Sequence, residues 1–291
     1  MKQLAPRRRF GQHFLINDHA ARRIVSLVQP CPDDLVLEVG PGRGALTSLL
    51  LERFDRIVAV EIDRDLAALL GPLTEAGLVV IVGDILKLDF GNILQNENRR
   101  KLCIVGNLPY NISGPFLFKL RSQAKLLSTA TITLQREVAL RIAAAPGSKA
   151  YGAITVMLYV WCRSQSIFQL PEDAFRPRPK VQSEVIQLEF SDSPRLKLSN
   201  EAMFEGLVRA AFGQRRKMLR NALHSWWTSL PAGSIVPLED VATEVGIDLT
   251  QRAEVLSPGQ YAEFSNALSE TVKVLPKAAD HKAENDSNIE S

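Results

Sequence analysis

Five short apolar runs, each followed by a stretch with helical patterning, limit what this chain can fold into more than any other feature. They cover residues 35–39, 56–61, 78–82, 102–105 and 130–134. Runs this rich in Val, Ile and Leu suit strands buried on both faces. Strands alternating with helices imply an α/β fold with a parallel, doubly wound sheet. Later candidates at 166–170 and 181–190 can pair with each other.

The first run, Leu35-Val36-Leu37-Glu38-Val39, leads into Gly40-Pro41-Gly42-Arg43-Gly44, and a helix-like segment follows over 45–53. Glycines there permit a tight turn and a close ligand, towards which a helix N-terminus directs free N–H groups. The second run ends in Glu61, at the separation where a carboxylate accepts hydrogen bonds from ribose hydroxyls. A nicotinamide site more typically shows G-x-G-x-x-G. The G-x-G-x-G here, preceded by Glu38, resembles the first motif of S-adenosylmethionine-dependent methyltransferases. The third run closes in Gly83-Asp84-Ile85. Asp84 is a candidate acceptor for a cofactor adenine amino group, with Ile85 against the ring face. An ordinary turn or cap is the plainer reading of that Asp.

The fourth run passes into Asn107-Leu108-Pro109-Tyr110. Pro109 stiffens the turn and leaves neighbouring carbonyls free to accept. An adenine N6 carries two N–H donors and a lone pair delocalised into the ring. The Asn107 side-chain oxygen and the Leu108 or Pro109 carbonyl form a pair of acceptors for those hydrogens, while Tyr110 stacks near the base. The alternative is a strand-ending turn with a helix N-cap.

Further motifs follow the same order as those of the ribosomal RNA adenine N6,N6-dimethyltransferase family, which the chain resembles over roughly residues 7–265. Phe10-Gly11-Gln12-His13-Phe14-Leu15 resembles its F-G-Q-[NH]-F-L. Glu38 to Gly44 resembles E-x-G-P-G-x-G, and Asn107 to Ser113 resembles N-L-P-Y-N-I-S. Phe175 to Ser183 resembles F-x-P-x-P-K-V-x-S, and Phe212 to Lys217 with Arg220-Asn221 resembles F-x-Q-R-R-K…R-N. The resemblance implies a Rossmann-like class I methyltransferase sheet of seven strands with one antiparallel edge, and a smaller all-helical C-terminal domain. It implies S-adenosylmethionine as cofactor, held by His13, Leu15, Gly40, Gly42, Glu61, Ile62, Asp84, Ile85 and Asn107. It implies catalysis by Asn107, Leu108, Pro109 and Tyr110, with Phe175 facing Tyr110 across the target base. The implied reaction is N6,N6-dimethylation of two adjacent adenosines in the 3'-terminal hairpin loop of small-subunit (16S) rRNA, with a role in small-subunit biogenesis.

The expected organisation is a basic entry segment (1–20), a methyltransferase domain (21–192), a helical RNA-binding domain (195–272) and a disordered tail (273–291). The formal charge is +3, but 277–291 carries four acids against two lysines, so the remainder carries +5. Basic clusters at Arg7-Arg8-Arg9, at Arg176, Arg178 and Lys180, and at Arg215-Arg216-Lys217 with Arg220 suggest a polyanion touched at several points. Solvated surface charge is the bland reading of any one cluster. Gly213 is expected to separate two helices, with 215–217 in or near the second one's first turn, where cations oppose the helix dipole unless a phosphate is near.

Cys31, Cys103 and Cys162 form neither a disulfide framework nor a zinc pattern, and the four histidines lack metal-ligand spacing, so no metal is expected. The longest apolar run, 153–161, is too short to cross a membrane, and the arginine-rich start lacks a secretory apolar core. A cytoplasmic monomer is expected, with small-subunit rRNA and the pre-30S particle as partners. Rival readings are an erythromycin-resistance-type methylase of large-subunit rRNA, which typically carries N-I-P-Y, and a non-catalytic assembly or transcription factor. DNA adenine methylation ranks below these.

Overall fold

A computed structural model describes residues 11–274. Arg7, Arg8 and Arg9, and the expected tail beyond 274, lie outside the described residues. The chain forms two compact units. Among the described residues the first comprises 11–145 with 157–195, and the second 146–156 with 196–274.

The first unit begins with β1 (Phe14–Leu15), α1 (Asp18–Ser26), β2 (Asp34–Val39), α2 (Thr47–Leu51), β3 (Ile57–Glu61), α3 (Arg64–Leu69) and β4 (Leu78–Val82). It continues through α4 (Phe90–Glu97), β5 (Lys101–Asn107), α5 (Ser113–Ser122), β6 (Leu127–Gln135) and α6 (Arg136–Ile142). After α7 (Ala153–Tyr159), which enters the first unit only at Met157, come β7 (Cys162–Leu170), β8 (Phe175–Arg176) and β9 (Ser183–Phe190). Seven strands form one sheet in the order β4-β3-β2-β5-β6-β9-β7. The first five in that order are parallel, and β9 runs antiparallel to both its neighbours. The expected antiparallel edge is thus corrected: the antiparallel strand β9 is inserted between β6 and β7. Its Val185, Ile186 and Leu188 are fully buried, which suits an interior strand whose ladder is satisfied on both sides.

Local sequence sets the helix starts. Asn17 accepts from the Ala20 amide at 2.9 Å, and Asp89 from the Gly91 amide at 2.7 Å, each satisfying an N-terminal donor. The strand order reverses between β2 and β5, which leaves a crevice at their carboxyl ends. There Val39 pairs with Gly106, and an added Cβ on Gly106 would lie 2.6 Å from the Val39 carbonyl oxygen. Only glycine allows the two strands to close up at this point. The helix expected over 45–53 is shorter, Thr47–Leu51, because the turns of the glycine loop take up the residues before it.

The second unit is helical, with α8 (Glu201–Gly213), α9 (Leu219–Thr228), α10 (Leu238–Glu244) and α11 (Pro258–Val274). Phe204, Leu207, Val208 and Ala211 form the buried stripe of α8, and Leu219, Ala222, Leu223 and Trp227 that of α9. Trp227 is the core anchor, and its indole donates to the Val236 carbonyl at 2.9 Å. Residues 146–156 belong here, so a first domain continuous over 21–192 is not what the chain forms. Tyr151 explains this: it is fully buried, donates to the Leu256 carbonyl at 2.9 Å and packs edge-on to Phe212. Among the described residues, no helix is long and apolar enough to cross a membrane.

Candidate active site

A cavity of about 1090 Å³, its open mouth included, occupies the crevice at the carboxyl ends of β2 and β5. Gly40, Gly42, Glu61, Ile62, Asp84, Ile85 and Asn107 line it, together with His13 and Leu15 from the N-terminal segment. Gly40 and Gly42 have φ of 69° and 57°, the left-handed region that glycine enters without strain. A Cβ on Gly42 would also press on the Phe14 ring at 3.1 Å.

Glu61 ends β3 almost fully buried. Its Oε2 accepts from the Gly42 amide at 3.1 Å and its Oε1 from the Asp63 amide at 2.9 Å. Burial pushes its pKa up, the Asp63 charge adds to the rise, and the Asp63, Gly42 and Ile62 amides pull it back. With three backbone amides on it, the carboxylate keeps a lone pair for a hydroxyl donor. One strand away, burial pushes Glu38 up to about 8 against a 2.7 Å hydrogen bond from the Thr47 hydroxyl, and the Glu61 charge adds to the rise. Asp84 uses Oδ1 to accept from the Leu86 amide at 3.0 Å. Lys119, on α5, donates to the Leu86 and Leu88 carbonyls and so holds this segment from behind. Desolvation lowers the pKa of that ammonium.

The N-L-P-Y turn carries the acceptors. Asn107 Nδ2 donates to the His13 carbonyl at 2.8 Å. The Pro109 carbonyl accepts from the Ile112 amide at 3.1 Å, closing the turn. Among the described residues the Leu108 carbonyl has no such backbone partner. Tyr110 stacks on His13 with ring centroids 5.3 Å apart and an interplanar angle of 29°. The His13 ring is in turn held by the Pro177 carbonyl, 2.7 Å from Nδ1.

These residues fit a nucleoside-bearing methyl donor. Glu61 offers acceptors for hydroxyls, Asp84 has a second carboxylate oxygen for an amino group, and Ile62 and Ile85 are apolar partners for a flat ring. The family model described as ribosomal RNA adenine dimethylase matches residues 4–270. The chain belongs to that family. A Xylella fastidiosa relative named ribosomal RNA small subunit methyltransferase A is 42% identical over 263 residues, covering 89% of this chain and 94% of the relative. A dimethyladenosine transferase from Plasmodium falciparum shares the fold with a TM-score of 0.73 at 24% identity, over 89% of this chain and 98% of its own. The 23S rRNA methyltransferase ErmE shares it with a TM-score of 0.65 at 23% identity, over 88% and 99%.

Of the expected catalytic residues, Asn107, Leu108 and Pro109 line the cavity, whereas Tyr110 and Phe175 do not. Phe175 is 2% exposed and packs in the core with Leu15, Ile24 and Val185 rather than in the cavity wall. Its strand position explains this: Phe175 of β8 pairs with Leu15 of β1. Of the basic residues in the first unit, Lys180 is exposed, and Arg178 pairs with Glu172 at 3.1 Å. In the second unit Arg216, Lys217 and Arg220 are exposed. Arg215 is engaged, its Nε 2.8 Å from Glu254 and its Nη2 on the Lys149 carbonyl. Residues 215–217 precede α9, which starts at Leu219, so they sit outside its first turn. Lys119 had no signal in the sequence, whereas Ser183 was visible as the end of a motif without a role.

Proposed function

We propose that this chain transfers methyl groups from S-adenosylmethionine to the N6 amino groups of adenines in ribosomal RNA. The observation that carries this reading is the fixed orientation of Asn107. With Nδ2 committed to the His13 carbonyl, its Oδ1 is left as an acceptor, and the Leu108 carbonyl follows it in the chain. Two acceptors at that edge suit an amino group with two N–H donors. Gripping both hydrogens turns the nitrogen lone pair out of conjugation, and the same oxygens stabilise positive charge growing on nitrogen. When bound, S-adenosylmethionine supplies an electrophilic methyl group. The chain's remaining work is positioning, because attack must run in line with the departing sulfur. Glu61, Asp84 and the glycine loop hold the donor, and the Tyr110 ring offers a face to a base taken out of its stack.

The finer reading is a pair of adjacent adenosines in the 3'-terminal hairpin loop of small-subunit rRNA, modified on a pre-30S particle by a cytoplasmic monomer. The small-subunit name of the Xylella relative and Leu108 in place of the isoleucine of N-I-P-Y support it over a large-subunit target. Retention of Gly40, Gly42, Glu61, Asp84 and Asn107 in one cavity supports an enzyme over a purely structural factor. Mapping N6-methylated adenines in both ribosomal subunits, from cells with and without this protein, tests the reading. Loss of dimethyladenine from the small-subunit hairpin is the expected result. An unchanged small-subunit map, or a change confined to the large subunit, overturns it.

A further inference from the structure

Ser183 opens β9 and is fully buried, yet its hydroxyl lies 2.6 Å from the Tyr110 hydroxyl. The sheet explains how two residues so far apart in sequence meet. Because β9 runs antiparallel, its first residue lies at the carboxyl ends of the parallel strands, the edge that carries the cavity. Ser183 is gripped there from both sides, paired with Gln135 of β6 and Leu170 of β7. It is a fixed point on the sheet, while Tyr110 sits on the turn after β5.

We infer that Ser183 is a positioning residue for methyl transfer, which sets the plane of the Tyr110 ring against which the target adenine stacks. This rests on the proposed role of Tyr110 as base platform. Stacking needs a ring with a defined tilt. Tyr110 has two restraints on that tilt: the His13 ring against one face and the Ser183 hydroxyl at its far end. A buried serine hydroxyl is costly without a partner, and at this site the partner is the phenol. The phenol itself does no chemistry in transfer to an amine, so its hydroxyl is accounted for by this contact.

The test is a double-mutant cycle on small ribosomal subunits lacking the modification, with kcat and KM for RNA separated and cofactor affinity measured by calorimetry. Ser183→Ala is expected to lower kcat roughly two- to tenfold, the size of one neutral hydrogen bond, with cofactor affinity unchanged. Tyr110→Phe should lower kcat comparably, and the double variant should lose no more than the worse single one. Additive losses would place the action of Ser183 elsewhere and overturn the inference. So would an unchanged kcat in Ser183→Ala when Tyr110→Ala collapses turnover, although the platform reading would stand. Unchanged turnover in Tyr110→Ala would instead remove the platform reading itself. Should Ser183→Ala not fold, Tyr110→Phe breaks the same contact from the turn side, and wild-type kcat in that variant overturns the inference.

Discussion

The Asn107 side chain reaches back to the main chain of His13, 94 positions earlier, and donates to its carbonyl at 2.8 Å. A backbone carbonyl thus decides which end of the amide faces the cavity. Asn107→Ala should leave folding and RNA affinity close to wild type and reduce transfer by orders of magnitude. Asn107→Asp should also fail, because a carboxylate facing the His13 carbonyl sets two acceptors against each other. Single-turnover transfer with unmodified small subunits measures both. Near wild-type rates in either variant would remove Asn107 from the chemistry.

Glu61→Ala should weaken S-adenosylmethionine binding by roughly 1–3 kcal/mol, the range for hydrogen bonds to a charged group, with RNA binding unaltered. It also frees the Gly42 amide, so Glu61→Gln, which turns a donor towards a backbone amide, should not restore affinity. Calorimetric titration of the three proteins decides, and wild-type affinity in Glu61→Ala would leave this acid a strand-end residue only.

Glu38 gives a pH signature. Its folded-state pKa of about 8 exceeds the unfolded carboxyl value near 4.5, so between those limits the folded protein binds more protons than the unfolded one. Stability should therefore fall as pH rises through this window, by up to a few kcal/mol. Glu38→Gln removes the titration and can keep Thr47 as a partner. Denaturant unfolding at pH 5 and pH 8.5 should show wild type losing stability relative to the variant at the higher pH. Parallel profiles would mean that Glu38 is ionised throughout.

The basic residues of the second unit should divide into two kinds. Replacing Arg216, Lys217 or Arg220 with Ala should lower the slope of log affinity against log salt by about 0.7–0.9 for each lost phosphate contact. Arg215→Ala should leave the slope alone and lower the melting temperature, since Arg215 joins Glu254 to the segment 146–156. Filter binding across a salt series separates the two, and a flatter line for Arg215→Ala would mean that its ion pair opens for RNA.

Phe175→Ala should destabilise the protein by about 3–5 kcal/mol, the cost of emptying an aromatic core site, whereas Phe175→Leu should retain most of both stability and transfer. Collapse of transfer in the stable Leu variant would place Phe175 at the base site.

The parallel strands were readable from the sequence because continuous Val, Ile and Leu runs have few other uses. The cavity lining was readable as well: Gly40, Glu61, Asp84 and Asn107 all stand at or just beyond strand ends, where the sheet itself collects them. What escaped was whatever depended on partners distant in sequence. Nothing near Arg215 announces Glu254, nothing near Tyr151 announces Leu256, and the burial of Phe175 goes with its pairing with Leu15. The insertion of β9 escaped for the same reason, since a strand's own residues do not state which neighbours it will have.

The two-residue ladder between β1 and β8 sets a timetable for the protein's synthesis. His13, whose carbonyl orients Asn107, is itself secured by Pro177, 164 positions later, while the Ile16 amide reaches the Ala174 carbonyl at 2.8 Å. A ribosome therefore delivers the glycine loop, Glu61, Asp84 and Asn107 well before the segment that fastens the N-terminal strand across them. Closing so long a loop is a late step in the ordering of contacts. A growing chain thus carries the cavity residues of β2, β3 and β5 early, whereas the Pro177 carbonyl that holds His13, whose own carbonyl takes the Asn107 amide, is synthesised later.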